Sequence, residues 1–336
     1  MMLSNYIAID IGTENIRIAD SESGLVISEP NVLAVSPEDG TVSEIGSGAQ
    51  EIMERVPGRY IGINPVEYGV IADYNMLQVL LSELIRRKKK KFSLVQPKAV
   101  AAVHAGITSM QKKEIEDIIK SSGVREVMLL DAPVAAAIGM GKDVSDTKAI
   151  MVLSVGAGCT EVAVICMDRL VGYKMIRSAG KAFDEAIAQK IRSELDIWIG
   201  GCITEYLKKK YGLIGGDAEM ICGKSISTGL PMMGSISGTE LSKTLEQPVE
   251  KVIDAVREVL YAMPEEIFRD IEKGGILLTG GGANLKGFPQ MIEKKIGIRT
   301  RLAANPQNAV INGVLQATTE LSGYREIIPE DLILQK

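Results

Sequence analysis

"LSVGAGCTEVAV", residues 153–164, reads as a strand, a tight glycine turn and a returning strand. Gly156 and Gly158 matter at that turn because a residue without Cβ lets the main chain come close to an anionic oxygen with its N–H groups pointing at it. An earlier stretch, "YIAIDIGTENIRIAD" (6–20), repeats the plan with an Asp-containing turn at Gly12 and Thr13 and alternating Ile16 and Ile18 behind it. The chain is therefore expected to be an internal duplication of two α/β halves. Each hairpin is followed at a distance by a buried strand that runs into a helix from a small-residue turn: "EVMLLDAPVAAAIGMG" (126–141) in the first half, "GGILLTGGGANLKGFPQMIEKKIG" (274–297) in the second. Four loops are thereby expected to converge on one cleft.

Apolar residues spaced three and four apart predict helices over 76–91, 111–123, 183–195 and 248–263, with Pro248 placed as the opening residue of the last. No Pro/Ser-rich linker divides the chain, which favours a hinged two-lobed body over independent domains.

Bulk composition removes several function classes. Hydrophobic residues make up 46% and charged residues 24%, an ordinary balance for a folded protein. A net charge of −5 argues against a nucleic-acid partner, which needs a basic surface to displace counterions. No apolar run reaches a membrane span and the N-terminus lacks a secretory pattern, so a cytoplasmic location is expected. Four cysteines without a CxxC pair and a single histidine, His104, make a zinc site, a disulfide framework or a Ser-His-Asp mechanism poor readings.

The glycine turns point instead to a polyphosphate. Asp10 is placed near a metal and its waters; Gly12, Thr13, Glu14 and Asn15 face phosphates from one hairpin and Gly156, Ala157 and Gly158 from the other. Gly280, Gly281 and Gly282 open the adenosine side, with Ala283 at the entry of the next helix. One Gly-rich turn is weak evidence, since glycine serves any tight turn. The joint occurrence of duplicated hairpins and the late "LTGGGANLKG" is much more specific.

The segments "AIDIGTENIRI", "VISEPNVLAV", "VPGRYIGINPVEYGVIADYNM", "VREVMLLDAPVAAAIGMG", "GCTEVAVI", "AGKAFDEAIAQKIR", "STGLP" and "GILLTGGGANLKGF" follow in the order and spacing of the MreB family of bacterial actin-like proteins, which the chain resembles from about Tyr6 to about Thr319. The resemblance implies an actin-like α/β fold, the superfold shared with sugar kinases and heat-shock chaperone ATPases, with two duplicated lobes around a nucleotide cleft. The first lobe is expected over 1–145 and about 312–330 with a small insertion at about 30–67, the second over 146–311 with an insertion at about 181–245. It further implies ATP and Mg²⁺ as cofactors and filaments of this chain or of paralogous MreB subunits. Those filaments would lie at the inner face of the cell membrane, where they work with wall-synthesis or shape proteins to determine cell shape. Carried over by position, Glu205 and Lys208 match nucleoside contacts. A small-molecule kinase of the same superfold is the alternative, although no loop carries a convincing catalytic Asp for an acceptor, and a chaperone-like ATPase is a more distant one.

The departures from the family fall on the chemistry. Ser154 stands where the second phosphate loop normally carries a carboxylate, so metal affinity is expected to fall. Ala132 stands where a Glu is expected to position the attacking water, and an alanine can neither orient water nor accept a proton. Asp131 is a doubtful catalytic substitute, one residue out of place on a strand. ATPase activity is therefore expected to be weak or absent while binding survives. Finally, six consecutive basic residues, Arg86 to Lys91, precede Phe92, Leu94 and Val95. The family's apolar membrane loop lies at this position, which makes Lys90, Lys91, Phe92 and Leu94 the expected membrane contacts.

Overall fold

The computed structural model describes residues 6–88 and 96–319. The chain divides into two compact units, one of Met1–Thr147, Ile165–Leu170 and Asn308–Lys336, the other of Lys148–Val164 and Val171–Gln307.

In the first unit the alternating hairpin folds as β1 (Tyr6–Ile11) and β2 (Asn15–Asp20), continued by β3 (Gly24–Pro30). Antiparallel pairing sets Ile9 opposite Ile18 and Ile11 opposite Ile16. Ile7, Ile9, Ile16 and Ile18 are all fully buried, because strand residues two apart share one face. A small sheet of β4 (Leu33–Val35), β5 (Val42–Ile45) and β6 (Ile61–Ile63) follows, with α1 (Ser47–Arg55) between its last two strands. Val32, Ala34 and Ala49 give that sheet a core of its own. After the short pair β7 (Val66–Glu67) and β8 (Val70–Ile71), α2 (Tyr74–Lys88) buries Leu77, Leu80, Leu81 and Leu84, the three-and-four spacing of a helix with one apolar face. Then come β9 (Lys98–Val103), α3 (Ser109–Ser121), β10 (Glu126–Asp131) and α4 (Ala132–Gly139). A capping box between Thr108 and Gln111 fixes the start of α3. The main sheet runs β10-β9-β1-β2-β3, with β9 parallel to both of its neighbours.

The second unit repeats this order. Its elements are β11 (Ile150–Val155), β12 (Thr160–Cys166), β13 (Arg169–Ile176), α5 (Gly180–Leu195), β14 (Ile197–Trp198), α6 (Gly201–Tyr211), β15 (Ala218–Ser225), β16 (Pro231–Ser237), α7 (Gly238–Tyr261), α8 (Glu265–Gly274), β17 (Ile276–Thr279), α9 (Phe288–Ile296) and β18 (Thr300–Leu302). Its main sheet runs β13-β12-β11-β17-β18, with β17 parallel to β11 and β18. In both units three chain-consecutive strands precede two later ones, so the duplication legible in the hairpins extends to the sheets. The last helix, α10 (Ala309–Thr319), belongs to the first unit and packs on α4 and β1.

All four expected helices start earlier than the sequence reading placed them, α2 and α3 by two residues each and the other two by more. The helix expected to open at Pro248 begins at Gly238, and Pro248 lies inside it. The true start is set by Ser237, whose side chain accepts the Thr239 N–H in a capping box with Glu240. Proline without an N–H is tolerated at a helix start, which is why it reads as one; here its carbonyl accepts the Ser178 hydroxyl instead. The third expected helix likewise starts three residues early, at Gly180 rather than Phe183. The reason lies in the glycine turn described below.

Of the basic run, Arg86 and Arg87 both bond Glu83, and Lys88 pairs with Asp20 at 3.0 Å. Burial alone would raise the Asp20 carboxyl; the Lys88 ammonium and the amides of Ser23 and Glu22 outweigh it and hold it below its ordinary value. The expected membrane residues Lys90, Lys91, Phe92 and Leu94 lie outside the described residues. Among the described residues, no helix is long and apolar enough to cross a membrane.

Candidate functional site

Each unit presents one tight hairpin turn, and the two turns are closed by the same hydrogen bond. Gly12 N–H donates to the Asn15 carbonyl at 3.1 Å, and Gly156 N–H to the Cys159 carbonyl at 2.9 Å. A Cβ on Gly12 would stand 2.8 Å from that carbonyl oxygen and one on Gly156 3.1 Å from its own, so the closure itself favours glycine. With the glycine N–H turned inward, the following two amides are left over. Among the described residues the N–H groups of Thr13 and Glu14, and of Ala157 and Gly158, have no hydrogen-bond partner. Adjacent unpartnered amides on a tight turn form a concavity suited to an anion.

The first turn is braced from beneath. Thr13 is buried, and its hydroxyl accepts the Gly69 N–H at 3.0 Å. The Asn31 side-chain amide donates to the Thr13 carbonyl at 3.1 Å and to Val66 at 2.8 Å, while its backbone N–H donates to Glu14 at 2.9 Å. The Thr13 hydroxyl oxygen is thus engaged by Gly69, while the Thr13 amide has no partner among the described residues. Glu14 is exposed and Asn15 half-buried.

Asp10, the last residue but one of β1, has a counter-ion of its own. It lies opposite Arg17 in the β1–β2 register, and the Arg17 Nη1 reaches its Oδ2 at 3.3 Å with both side chains about 15% exposed. A divalent cation of the Mg²⁺ kind takes hard oxygen ligands, typically one or two carboxylates beside substrate phosphates. In the first unit the expected carboxylate, Asp10, is already paired with a guanidinium; in the second unit the expected position is Ser154, half-buried beside Thr279. Among the described residues no group of three or more His, Cys, Asp or Glu could hold a metal ion. A neutral hydroxyl at Ser154 is a poorer Mg²⁺ ligand than the carboxylate expected there.

The second turn leans on α5. Gly180 N–H donates to the Gly156 carbonyl at 3.1 Å and Lys181 N–H to Ala157 at 2.8 Å. These bonds use turn carbonyls to satisfy two of the four amides a helix start leaves open, and they account for the early start of α5. Close by, Lys208 on α6 pairs with Asp184 at 2.7 Å and reaches the Gly180 carbonyl at 3.4 Å. Glu205 faces its own helix: the hydrogen bond from Lys209 holds its carboxyl below the ordinary value, against the opposing effect of burial.

Three glycines follow β17, and they differ in kind. Gly280 has φ +84° and a Cβ there would fall 2.2 Å from the Val155 carbonyl oxygen; one on Gly282 would meet Val155 Cγ1 at 2.6 Å. Both are required by packing against the end of β11. A Cβ on Gly281 would meet nothing within 4 Å, so that position is open. Ala283 is fully buried within a 3-10 turn, Gly281–Asn284, and the next helix starts only at Phe288. Its side chain packs inside the unit.

Asp131 is the last residue of β10 and Ala132 the first of α4. The strand alternation expected to turn Asp131 away ends at that junction, since a helix begins at the next residue. Asp131 is half-buried and Ala132, the position of the expected Glu, is 9% exposed and carries only a methyl group. His104 is half-buried just past β9. Sequence reasoning missed Arg17, Asn31 and Lys181. Only Arg17 had a signal, because counting back from the Gly12 turn places it across from Asp10.

The model of the MreB/Mbl protein family matches residues 4–326. The cell shape-determining protein Mbl of Bacillus subtilis is 32% identical over 316 residues, covering 93% of this chain and 95% of that protein. The cell shape-determining protein MreB of Escherichia coli K12 is 32% identical over 321 residues, covering 93% and 92%. Among solved structures, MreB5 of Spiroplasma citri bound to AMPPNP superposes with a TM-score of 0.89 at 28% identity, covering 96% of this chain and 98% of that one. The MamK double helical filament subunit superposes at 0.79 with 16% identity, a likeness of fold. The fold is actin-like, and the chain belongs to the MreB/Mbl family.

Proposed function

We propose that this chain is a cell-shape actin homologue that holds ATP without turning it over efficiently and assembles into filaments, of itself or with paralogous subunits, at the inner face of the cell membrane. The observation that carries the nucleotide reading is the pair of identically closed turns, each offering two adjacent unpartnered amides at Thr13–Glu14 and Ala157–Gly158. The Spiroplasma MreB5 structures are bound to AMPPNP and ADP, which supports nucleotide binding by this chain. Weak turnover follows from the methyl group at Ala132 and the neutral hydroxyl at Ser154, which offer no general base and no metal carboxylate.

Assembly and shape determination are supported by family membership, since both curated relatives are cell shape-determining proteins. Wall-synthesis or shape proteins are the partners this role implies. Membrane contact rests on the sequence at Lys90, Lys91, Phe92 and Leu94. Each cation near an anionic leaflet contributes about 1 kcal/mol, too little for one subunit, and a filament adds such anchors together.

Sedimentation with and without ATP, repeated with anionic and with neutral vesicles, tests the reading. ATP-dependent pelleting that carries anionic vesicles down is expected. A Lys90→Glu/Lys91→Glu variant is expected to lose the vesicles and keep the pelleting. No pelleting under any nucleotide condition contradicts assembly, and equal recruitment of neutral vesicles contradicts an electrostatic anchor.

A further inference from the structure

The first turn of α5 carries a charge that nothing in its surroundings answers. Lys181 is half-buried, and among the described residues its ammonium makes no ion pair and no hydrogen bond. The first turn of that helix holds no acidic residue, and its N-cap, Ala179, supplies no side-chain cap. Asp184, the acid one turn further on, is paired with Lys208. A cation here opposes the positive end of the helix dipole, so left to itself the arrangement is unfavourable. The Lys181 amide is bonded to the Ala157 carbonyl at 2.8 Å, which fixes the residue's backbone against the turn whose Ala157 and Gly158 amides are unpartnered. Unpartnered amides, a helix N-terminus and a lysine at one turn all favour an anion of high charge. The same turn is also short of a metal ligand, with the neutral Ser154 in place of the expected carboxylate at the end of β11.

We infer that Lys181 brings to the nucleotide phosphates the positive charge that a divalent metal would otherwise supply, so that this chain binds ATP through the lysine and with little dependence on metal. The inference rests on the nucleotide reading above. A lysine ammonium donates three hydrogen bonds to phosphate oxygens without needing protein carboxylates, whereas a bound Mg²⁺ draws on them. A loop that loses its metal carboxylate and carries a free lysine keeps its charge balance against a polyphosphate.

The test is equilibrium binding of a fluorescent ATP analogue by the full chain, in millimolar Mg²⁺ and in EDTA, for the parent, Lys181→Ala and Lys181→Arg. The parent is expected to bind with affinities within about threefold in the two conditions. Loss of a charge-assisted contact in Lys181→Ala is expected to weaken binding in EDTA by about tenfold or more, with Mg²⁺ recovering part of the loss, while Lys181→Arg stays near the parent. Parent binding that collapses in EDTA overturns the inference and leaves the nucleotide reading standing. So does metal-independent binding that Lys181→Ala leaves unchanged. No parent binding in either condition overturns the nucleotide reading and this inference with it. Circular dichroism of each variant confirms that the fold is retained, and since Lys181 is half-buried at a helix start, Lys181→Arg guards against a misfolded Lys181→Ala.

Discussion

Gly313→Ala is expected to destabilise the first unit by about 3 kcal/mol or more, the upper range for overpacking. Helices α4 and α10 touch backbone to backbone. A Cβ on Gly313 would fall 1.7 Å from the Ala135 carbonyl oxygen and 2.8 Å from the Gly139 N, and one on Gly139 would fall 2.0 Å from the Ala309 carbonyl oxygen. The obstacles are main-chain atoms of two helices, so no side-chain rotation relieves them; one helix must shift. That shift reaches the candidate site, because α4 starts at Ala132 and α10 also packs on β1, the strand that leads to Asp10 and the Gly12 turn. Thermal unfolding should show a midpoint lowered by roughly 6–12 °C for a unit of this size. Gly274→Ala is the control: it lies at the exposed end of α8 with nothing within 4 Å of its added Cβ, and is expected to be neutral or slightly stabilising. A Gly313→Ala change as mild as the control would show that the two helices are not in backbone contact.

The second large effect concerns turnover. Ala132→Glu combined with Ser154→Asp is expected to raise phosphate release by about 10²-fold or more, the usual contribution of a positioned general base. Ala132 opens α4 at the end of β10, where a longer side chain can leave the helix start, and Ser154 is half-buried near the end of β11. Each unit already carries its glycine turn, so the two changes restore the carboxylates expected beside them. Each single variant is expected to fall well short of the pair, since a base without charge support, or the reverse, completes neither role. An unchanged rate in a double variant that still binds nucleotide would remove these two positions as the cause of weak turnover.

Much of this was legible in the sequence because it is written in two-residue and glycine patterns. Alternation at Ile16 and Ile18 marked the returning strand of the first hairpin, and the glycines at 12, 156 and 158 marked the turns on which the candidate site is built. Other features depend on partners far away in the chain. The alanines of α4 read as helix formers, but their small size is explained by α10, some 170 residues later. Pro248 read as a helix start because its missing N–H suits one; the cap at Ser237 carried a weaker signal, and the buried face of Leu241, Leu245 and Val249 decided the matter. Asn31 gave no signal, since a single asparagine in a loop shows nothing of the Thr13 and Val66 carbonyls it joins. Asp10 read as a metal carboxylate without its counter-ion, although counting from the Gly12 turn sets Arg17 opposite it in the register. Of the three late glycines, only Gly281 lacks a packing reason, a distinction that needs the position of Val155.

Under the proposed function this chain holds ATP and turns it over poorly. Purified protein should be loaded with equimolar radiolabelled ATP in Mg²⁺, incubated for hours under polymerising conditions, separated from free nucleotide and quenched, and the bound label resolved into ATP and ADP. Bound label that remains ATP throughout is the result this account predicts. Bound label converted to ADP within minutes, with phosphate released in step, would contradict it.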